Sequence, residues 1–226
     1  MGDNKHHMLL WLDTETTAID PADGQLLEIG MRITELDGSD GSDGGDFSFE
    51  RVLRHRSIDC TSKTLEAIAM HRRNGLLDEA LNPPEIGQAP VDWVIHDWLT
   101  DCVTALQAHG PAVMLHVAGS NPGFDLGWLD THCPRVRDFH VWRGHVSHRN
   151  LDLSAIRLTL MTVGVNPYAA HRERTHRVHD CLDHDIHQWM QWVEWVREHM
   201  NADEPDVDCD FGPSLAARFG LEGELV

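Results

Sequence analysis

Basic residues are scarce in this chain. Its 226 residues include 18 Lys and Arg against 37 Asp and Glu, a formal net charge of −19. A protein that grips long duplex nucleic acid shows a basic face, so this balance argues against that class. Cysteine is sparse as well. Cys60, Cys102, Cys133, Cys181 and Cys209 are an odd number with no C-x-x-C spacing, which argues against a disulfide frame or a zinc knuckle and suits a reducing cytosol. No apolar run approaches the ~20 residues that span a bilayer, and no charged, apolar, small-residue leader opens the chain. The expectation is a cytoplasmic protein with no membrane partner. Histidine is the exception to this scarcity. There are 17, and many of them would charge below about pH 6.5. They are scattered along the chain, which argues against a structural metal-binding protein.

The remaining composition, 41% hydrophobic, supports one large domain or a domain with an extension. The run Leu9-Leu10-Trp11-Leu12 predicts a buried strand over residues 8–14. A turn at Asp20–Gly24 leads to a second strand, Leu26–Leu36. A Gly/Asp/Ser loop over 37–46 leads to a third, Phe47–Leu53, completing an antiparallel meander. A helix is expected over 61–70 with Leu65, Ile68 and Ala69 inside and Thr61 or Ser62 as cap. After Gly75, Leu76-Leu77 open a new element, which Asn82-Pro83-Pro84 breaks. Pro90–Ala108 carries Val91, Val94, Ile95, Trp98, Leu99, Cys102 and Leu106 at helical spacing. Ala112–Ala118 reads as another buried strand, followed by a helix with Phe124, Trp128 and Leu129. Residues 139–146 are expected to be irregular or a short strand, 151–162 helical, 164–175 a loop and 176–200 a long helix.

The chemistry begins at the end of the first strand. Side chains alternate faces along a strand, so Asp13 and Glu15 point the same way. Adjacent carboxylates repel unless a cation lies between them, and a hard divalent cation such as Mg²⁺ wants such oxygen ligands. Asp125 stands just past a later strand, where ligands gather in open α/β sheets. A His/Asp-rich segment, Thr175-His176-Arg177-Val178-His179-Asp180-Cys181-Leu182-Asp183-His184-Asp185, opens the last helix.

Together these stretches resemble the DEDDh 3′–5′ exonuclease superfamily. Asp13 to Pro21 matches its D-T-E-T-T-x-hydrophobic-D-P motif, with Ala18 where glycine is usual. Asn121 to Leu129 matches N-x-x-F-D-x-x-aromatic-L. Within the superfamily the chain looks most like the oligoribonucleases, through Met70-His71 with Asn74-Gly75-Leu76 and through His148-Arg149-Asn150-Leu151-Asp152-Leu153-Ser154. His148 stands where that branch has tyrosine. The third motif, His, four residues, then Asp, has two registers here. The ungapped alignment puts Cys181 in the acid's place and leaves His176 with Asp180, one position early. The other pairs His179 with Asp185, one position late. The first is preferred because it needs no insertion.

The resemblance implies an α/β fold: an RNase H-like mixed central sheet, antiparallel at its opening meander and parallel after it, flanked by helices. It implies an exonuclease domain over residues 1–200, followed by an acidic linker and a short C-terminal segment over 201–226. The implied metal ligands are Asp13, Glu15, Asp125 and Asp180 or Asp185, holding two Mg²⁺ or Mn²⁺ ions. His176 or His179 would be the general base, and Thr16, His71 and Asn74 would contact substrate. The implied substrate is single-stranded nucleic acid, chiefly short RNA, and the implied assembly is a homodimer. The alternatives are a DNA-directed proofreading or repair-type exonuclease, and a catalytically degenerate nuclease-fold binding module suggested by Cys181.

Overall fold

A computed structural model of the chain describes residues 5–40, 47–82, 89–108, 110–167 and 175–199. The chain divides into two compact units, residues 1–190 and 191–226. The loops expected over 37–46 and 164–175 fall partly outside the described residues, and the Pro83-Pro84 break falls wholly outside them. The C-terminal linker and segment over 201–226 fall wholly outside them. In the second unit the described residues are the last turns of a helix, with Trp192 and Trp195 stacked at 5.3 Å.

The first unit is built on a mixed five-stranded sheet, as expected. Its strands are β1 (His6–Thr16), β2 (Leu26–Glu35), β3 (Ser48–Val52), β4 (Val113–Gly119) and β5 (Leu151–Asp152), in the order β3-β2-β1-β4-β5. The meander pairs β1 with β2 and β2 with β3 antiparallel. The pairing of β4 with β1, and of β5 with β4, is parallel. The helices are α1 (Leu65–Arg73), α2 (Leu76–Ala80), α3 (Val91–Gln107), α4 (Pro122–His132), α5 (His140–His145), α6 (Leu153–Thr162) and α7 (Val178–His199). Among the described residues no helix is long and apolar enough to cross a membrane.

The alternation of β1 sorts two cores. Met8, Leu10 and Leu12 join a cluster with Ile95, Leu99 and Cys102 of α3 and Trp128 and Leu129 of α4. Leu9 and Trp11 face the other way, toward Leu153 of α6 and Leu182 and Ile186 of α7. Trp11 also donates its indole N–H to Thr34 Oγ1 at 2.8 Å, so its one polar atom is satisfied inside the core. Each such apolar side chain, fully buried, contributes roughly 1.5–3 kcal/mol.

Two expectations are corrected. Residues 139–146 are neither irregular nor a strand over most of their length, because α5 coils to bury Trp142 in the first core. The only strand-like contact there is an isolated bridge between Val146 and Leu115. Helix α1 begins later than expected. Thr64 takes up the preceding turn, accepting from Thr61 N at 2.8 Å and donating to Asp59 O at 2.9 Å. Leu65 and Ala69 are then exposed and Ile68 half-buried. The buried residue of α1 is His71. Its anchoring turns the helix away from the face that the apolar spacing suggested.

Candidate active site

The end of β1 carries Asp13 and Glu15 on the face covered by α7. Two glycines allow the neighbouring elements to close on it. Gly30 pairs with Asp13 across the β1–β2 ladder. A Cβ at Gly30 would meet Val178 Cβ at 2.7 Å, so the first turn of α7 lies directly on the sheet. A Cβ at Gly119 would meet Leu12 O at 2.8 Å, so the end of β4 closes against β1 just before α4 begins. Asp125, in the first turn of α4, accepts a 2.7 Å hydrogen bond from Thr14 Oγ1.

The acids lie near enough to raise one another's pKa. Burial, then the charges of Asp125, Glu15, Asp185 and Glu28, push the Asp13 carboxyl well above its ordinary range. Burial and the adjacent Glu28 push Glu15 up to about 8, against a partial lowering by the Cys181 thiol. Burial pushes Asp125 up to about 7, against the hydrogen bonds of Thr14. The structure therefore brings Asp13, Glu15 and Asp125 near one another.

The third motif resolves by helical phase. Val178, Cys181, Leu182, Asp185 and Ile186 form one face of α7. The Cys181 thiol donates to Glu15 Oε1 at 3.7 Å. Asp185 is buried and acts on both Asp13 and Asp125. Asp180 lies about 100° around the helix from Cys181. It is half-buried and bonds to Thr175 Oγ1 and, at 2.9 Å, to the exposed His179. Asp180 and the exposed His179 thus meet each other off the Cys181–Asp185 face of α7, so the preferred register does not bring its acid, Asp180, to Asp13 and Glu15. The ungapped spacing does place position 181 beside Glu15, but the residue there is cysteine. Asp185 adjoins the acids with both oxygens engaged. It accepts from Arg157 Nη2 at 2.8 Å and from Ser120 Oγ at 2.6 Å.

His176 adopts a left-handed backbone, φ 51°. Asn74 Nδ2 donates to the carbonyls of both Thr175 and His176 at 2.7 Å. His176 is close enough to His71 for its charge to lower His71 further, after burial has done most of that work. His71 is fully buried, and its Nε2 donates to Thr16 O at 3.0 Å, 3.8 Å from Glu15 Oε2. Thr16 is buried too, its hydroxyl donating to Ala18 O at 2.9 Å. His71 is therefore a buried backbone anchor beneath the site, and the half-buried Asn74 spends its amide on two backbone carbonyls.

Sequence reasoning missed three participants. Glu28 is buried beside Glu15 in the ladder and accepts from Arg177 Nε at 2.9 Å and Nη2 at 2.8 Å. Arg177 also pairs with Glu79, so one guanidinium ties α7 to β2 and α2. Arg157 is the third. The available signal was a charged residue on an apolar face: Glu28 in the apolar run of β2, and Arg157 between Leu153 and Leu160.

The donor set fits a cation. Among the described residues, Asp13 Oδ2 is buried without a hydrogen-bond partner, an arrangement that costs free energy unless a cation meets it. Donor atoms of Asp13, Glu15 and Cys181 all lie within 4.8 Å of one another.

No family model matches the chain. It is 25% identical to the oligoribonuclease of Mycobacterium tuberculosis (strain ATCC 25177 / H37Ra) over 150 residues, 66% of this chain and 61% of the relative. It is 24% identical to the oligoribonuclease of Bordetella pertussis over 152 residues, 66% of this chain and 72% of the relative. The chain is similar to the oligoribonucleases of the DEDDh exonuclease superfamily. The aligned part spans about 61% of the length of the mycobacterial oligoribonucleases. The fold is shared with E. coli exonuclease I. Its zinc-ion-bound complex with single-stranded DNA superimposes with a TM-score of 0.53 at 16% identity, over 87% of this chain and 41% of that one. Its complex with a 5cy-dT13 oligonucleotide gives 0.52 at 16% identity, over 87% and 42%. The oligoribonuclease likeness and the RNase H-like sheet thus agree with the fold expected from the motifs.

Proposed function

We propose that the chain is a divalent-metal-dependent 3′–5′ exonuclease that hydrolyses short single-stranded RNA to 5′-mononucleotides. One observation carries this reading: Asp13 and Glu15 of β1 lie together, Asp125 of α4 is near enough for its charge to raise both, and Asp13 Oδ2 is buried without a partner among the described residues. Divalent cations bound there would neutralise charge on the phosphoryl oxygens and lower the pKa of water. Asp13, Glu15 and Asp125 would hold them. His176, seated by Asn74, would take the proton from the attacking water, a task for a group with pKa near 7. His71 holds the Thr16 carbonyl and so shapes the chain turn after β1, where the terminal nucleotide would lie. Ile19, in that turn, is 87% exposed and offers an apolar face to a base. Arg72 and Arg73, exposed on the same turn of α1 as His71, offer local positive charge in an acidic protein. Burial of Glu15 and Asp125 sets these acids in from the surface, where a frayed 3′ end reaches better than a paired one, which supports the preference for single strands.

The test is hydrolysis of 3′-labelled RNA and DNA oligomers with Mg²⁺ or Mn²⁺, beside an Asp13→Ala control. Stepwise release of mononucleotides from short RNA, lost in the control, is expected. An inactive parent, or an active control, overturns the reading. Preferential trimming of long DNA would favour a proofreading or repair-type exonuclease.

A second reading has its own support. Cys181 occupies the place of an acid, and the Asp185 carboxylate is engaged by Arg157 and Ser120. Both favour a nuclease fold that binds nucleic acid without cutting it. Oligomer binding by a parent that hydrolyses nothing would identify that case.

A further inference from the structure

We propose that Asp13, Glu15 and Cys181 form a mixed oxygen–sulfur site that takes a thiophilic divalent cation of the zinc class in preference to magnesium. The proposal deepens the reading of the same site, and its test does not depend on hydrolysis.

Three observations support it. The donor atoms of the three residues lie within 4.8 Å of one another, and one of the three is sulfur. Cys181 Sγ and Glu15 Oε1 are 3.7 Å apart. A thiolate and a carboxylate oxygen bound to one tetrahedral zinc-class ion, at their usual bond lengths, lie about 3.6 Å apart, so these two atoms need little movement to share a cation. Asp13 Oδ2, buried and without a partner among the described residues, supplies an oxygen whose desolvation a cation offsets.

The surroundings narrow the donor set further. Asp185 would be the obvious additional oxygen ligand on this face of α7. Its two oxygens are held by Arg157 Nη2 and Ser120 Oγ, and Arg157 is itself fixed by Gln188 Oε1 at 2.8 and 2.6 Å. Magnesium takes oxygen ligands in a near-octahedral shell and gains little from sulfur, whereas thiolate selects zinc-class ions. On binding, the thiol proton leaves for solvent and the sulfur bonds the cation as thiolate.

Cobalt(II) is the spectroscopic stand-in for zinc. The full chain, kept reduced, is titrated with Co²⁺ while the near-ultraviolet thiolate-to-cobalt charge-transfer band is recorded. The band is expected to saturate at one ion per chain, to be displaced by Zn²⁺, and to resist a large excess of Mg²⁺. It should vanish in Cys181→Ser and persist in Cys60→Ser, since Cys60 is the exposed cysteine of the described body. Cys181→Asp should keep metal binding but weaken Zn²⁺ by at least the ~10- to 100-fold typical of losing even an outer-shell partner. No Co²⁺ binding, binding without a band, or a band that survives Cys181→Ser overturns the proposal. Mg²⁺-driven hydrolysis without a band would remove this proposal and leave the nuclease reading standing. A band in a chain inactive with every metal would do the reverse.

Discussion

Arg157 Nη2 lies 2.8 Å from Asp185 Oδ1, and both side chains are sealed from solvent. The guanidinium is a fixed cation beside a group of mutually repelling acids, and it joins α6 to α7 beneath the site. Removing it leaves a buried carboxylate with Ser120 as its remaining partner. Arg157→Met is expected to destabilise the protein by roughly 3–5 kcal/mol in denaturant unfolding. Adding Asp185→Asn should restore part of that loss. An Arg157→Met protein as stable as its parent would show that the pair is not sealed in solution.

The metal-free protein should lose stability as pH rises. Glu15 is pushed from 4.5 up to about 8 and Asp125 from 3.8 up to about 7. Between each ordinary value and its raised one, the folded chain keeps a proton that the unfolded chain has released. Stability then falls with increasing pH. Glu15→Gln removes one such group, so in chelator its melting temperature should gain on the parent's between about pH 4.5 and 8. Saturating divalent cation should reverse the order, since the parent gains binding free energy that the variant lacks. Parallel melting curves across that window would contradict the clustering of the acids.

Ile19 offers a separate handle on substrate binding. An apolar side chain 87% exposed is unfavourable where it stands, and a base stacked on it would cover that surface. Ile19→Ser should leave folding unchanged and raise KM for short RNA about tenfold, from the loss of roughly 1–2 kcal/mol of apolar contact. The change in kcat should be small. An equal fall in kcat with KM unmoved would place Ile19 outside the substrate's path.

Much of this arrangement was legible in the sequence because it depends on local period. The alternation of β1 put Asp13 and Glu15 on one face, and the apolar stripe of α3 found its partners. The third motif was harder, because His, Asp and Cys crowd every position from 176 to 185 and linear spacing ranks them poorly. Three-dimensional phase separates them: Cys181 and Asp185 face the acids, and Asp180 does not. Helix α1 misled for a related reason. Its apolar residues Leu65 and Ala69 suggested a buried stripe, while the buried contact came from an imidazole, His71, reaching the Thr16 carbonyl. Arg157 and Glu28 stood out only as charges on apolar faces, and their partners could not be named because they lie 28 and 149 positions away.

Asn74 decides how His176 is presented. Its amide donates to the carbonyls of Thr175 and His176, while its own Oδ1 accepts from Leu76 N at 3.0 Å. One side chain therefore both starts α2 and holds the left-handed turn before α7. Asn74→Ala removes all three bonds without touching an acid or a histidine. If His176 is the proton acceptor, its displacement should lower kcat about tenfold to a hundredfold, the cost of losing alignment by an ångström or so. KM should stay near the parent's, because no substrate contact is lost. Asn74→Asp keeps the acceptor for Leu76 but sets a carboxylate against two carbonyls, so it should lower kcat at least as much. His176→Ala combined with Asn74→Ala should be no worse than His176→Ala alone. Additive losses in that double variant would mean that Asn74 acts on the site by a route other than His176.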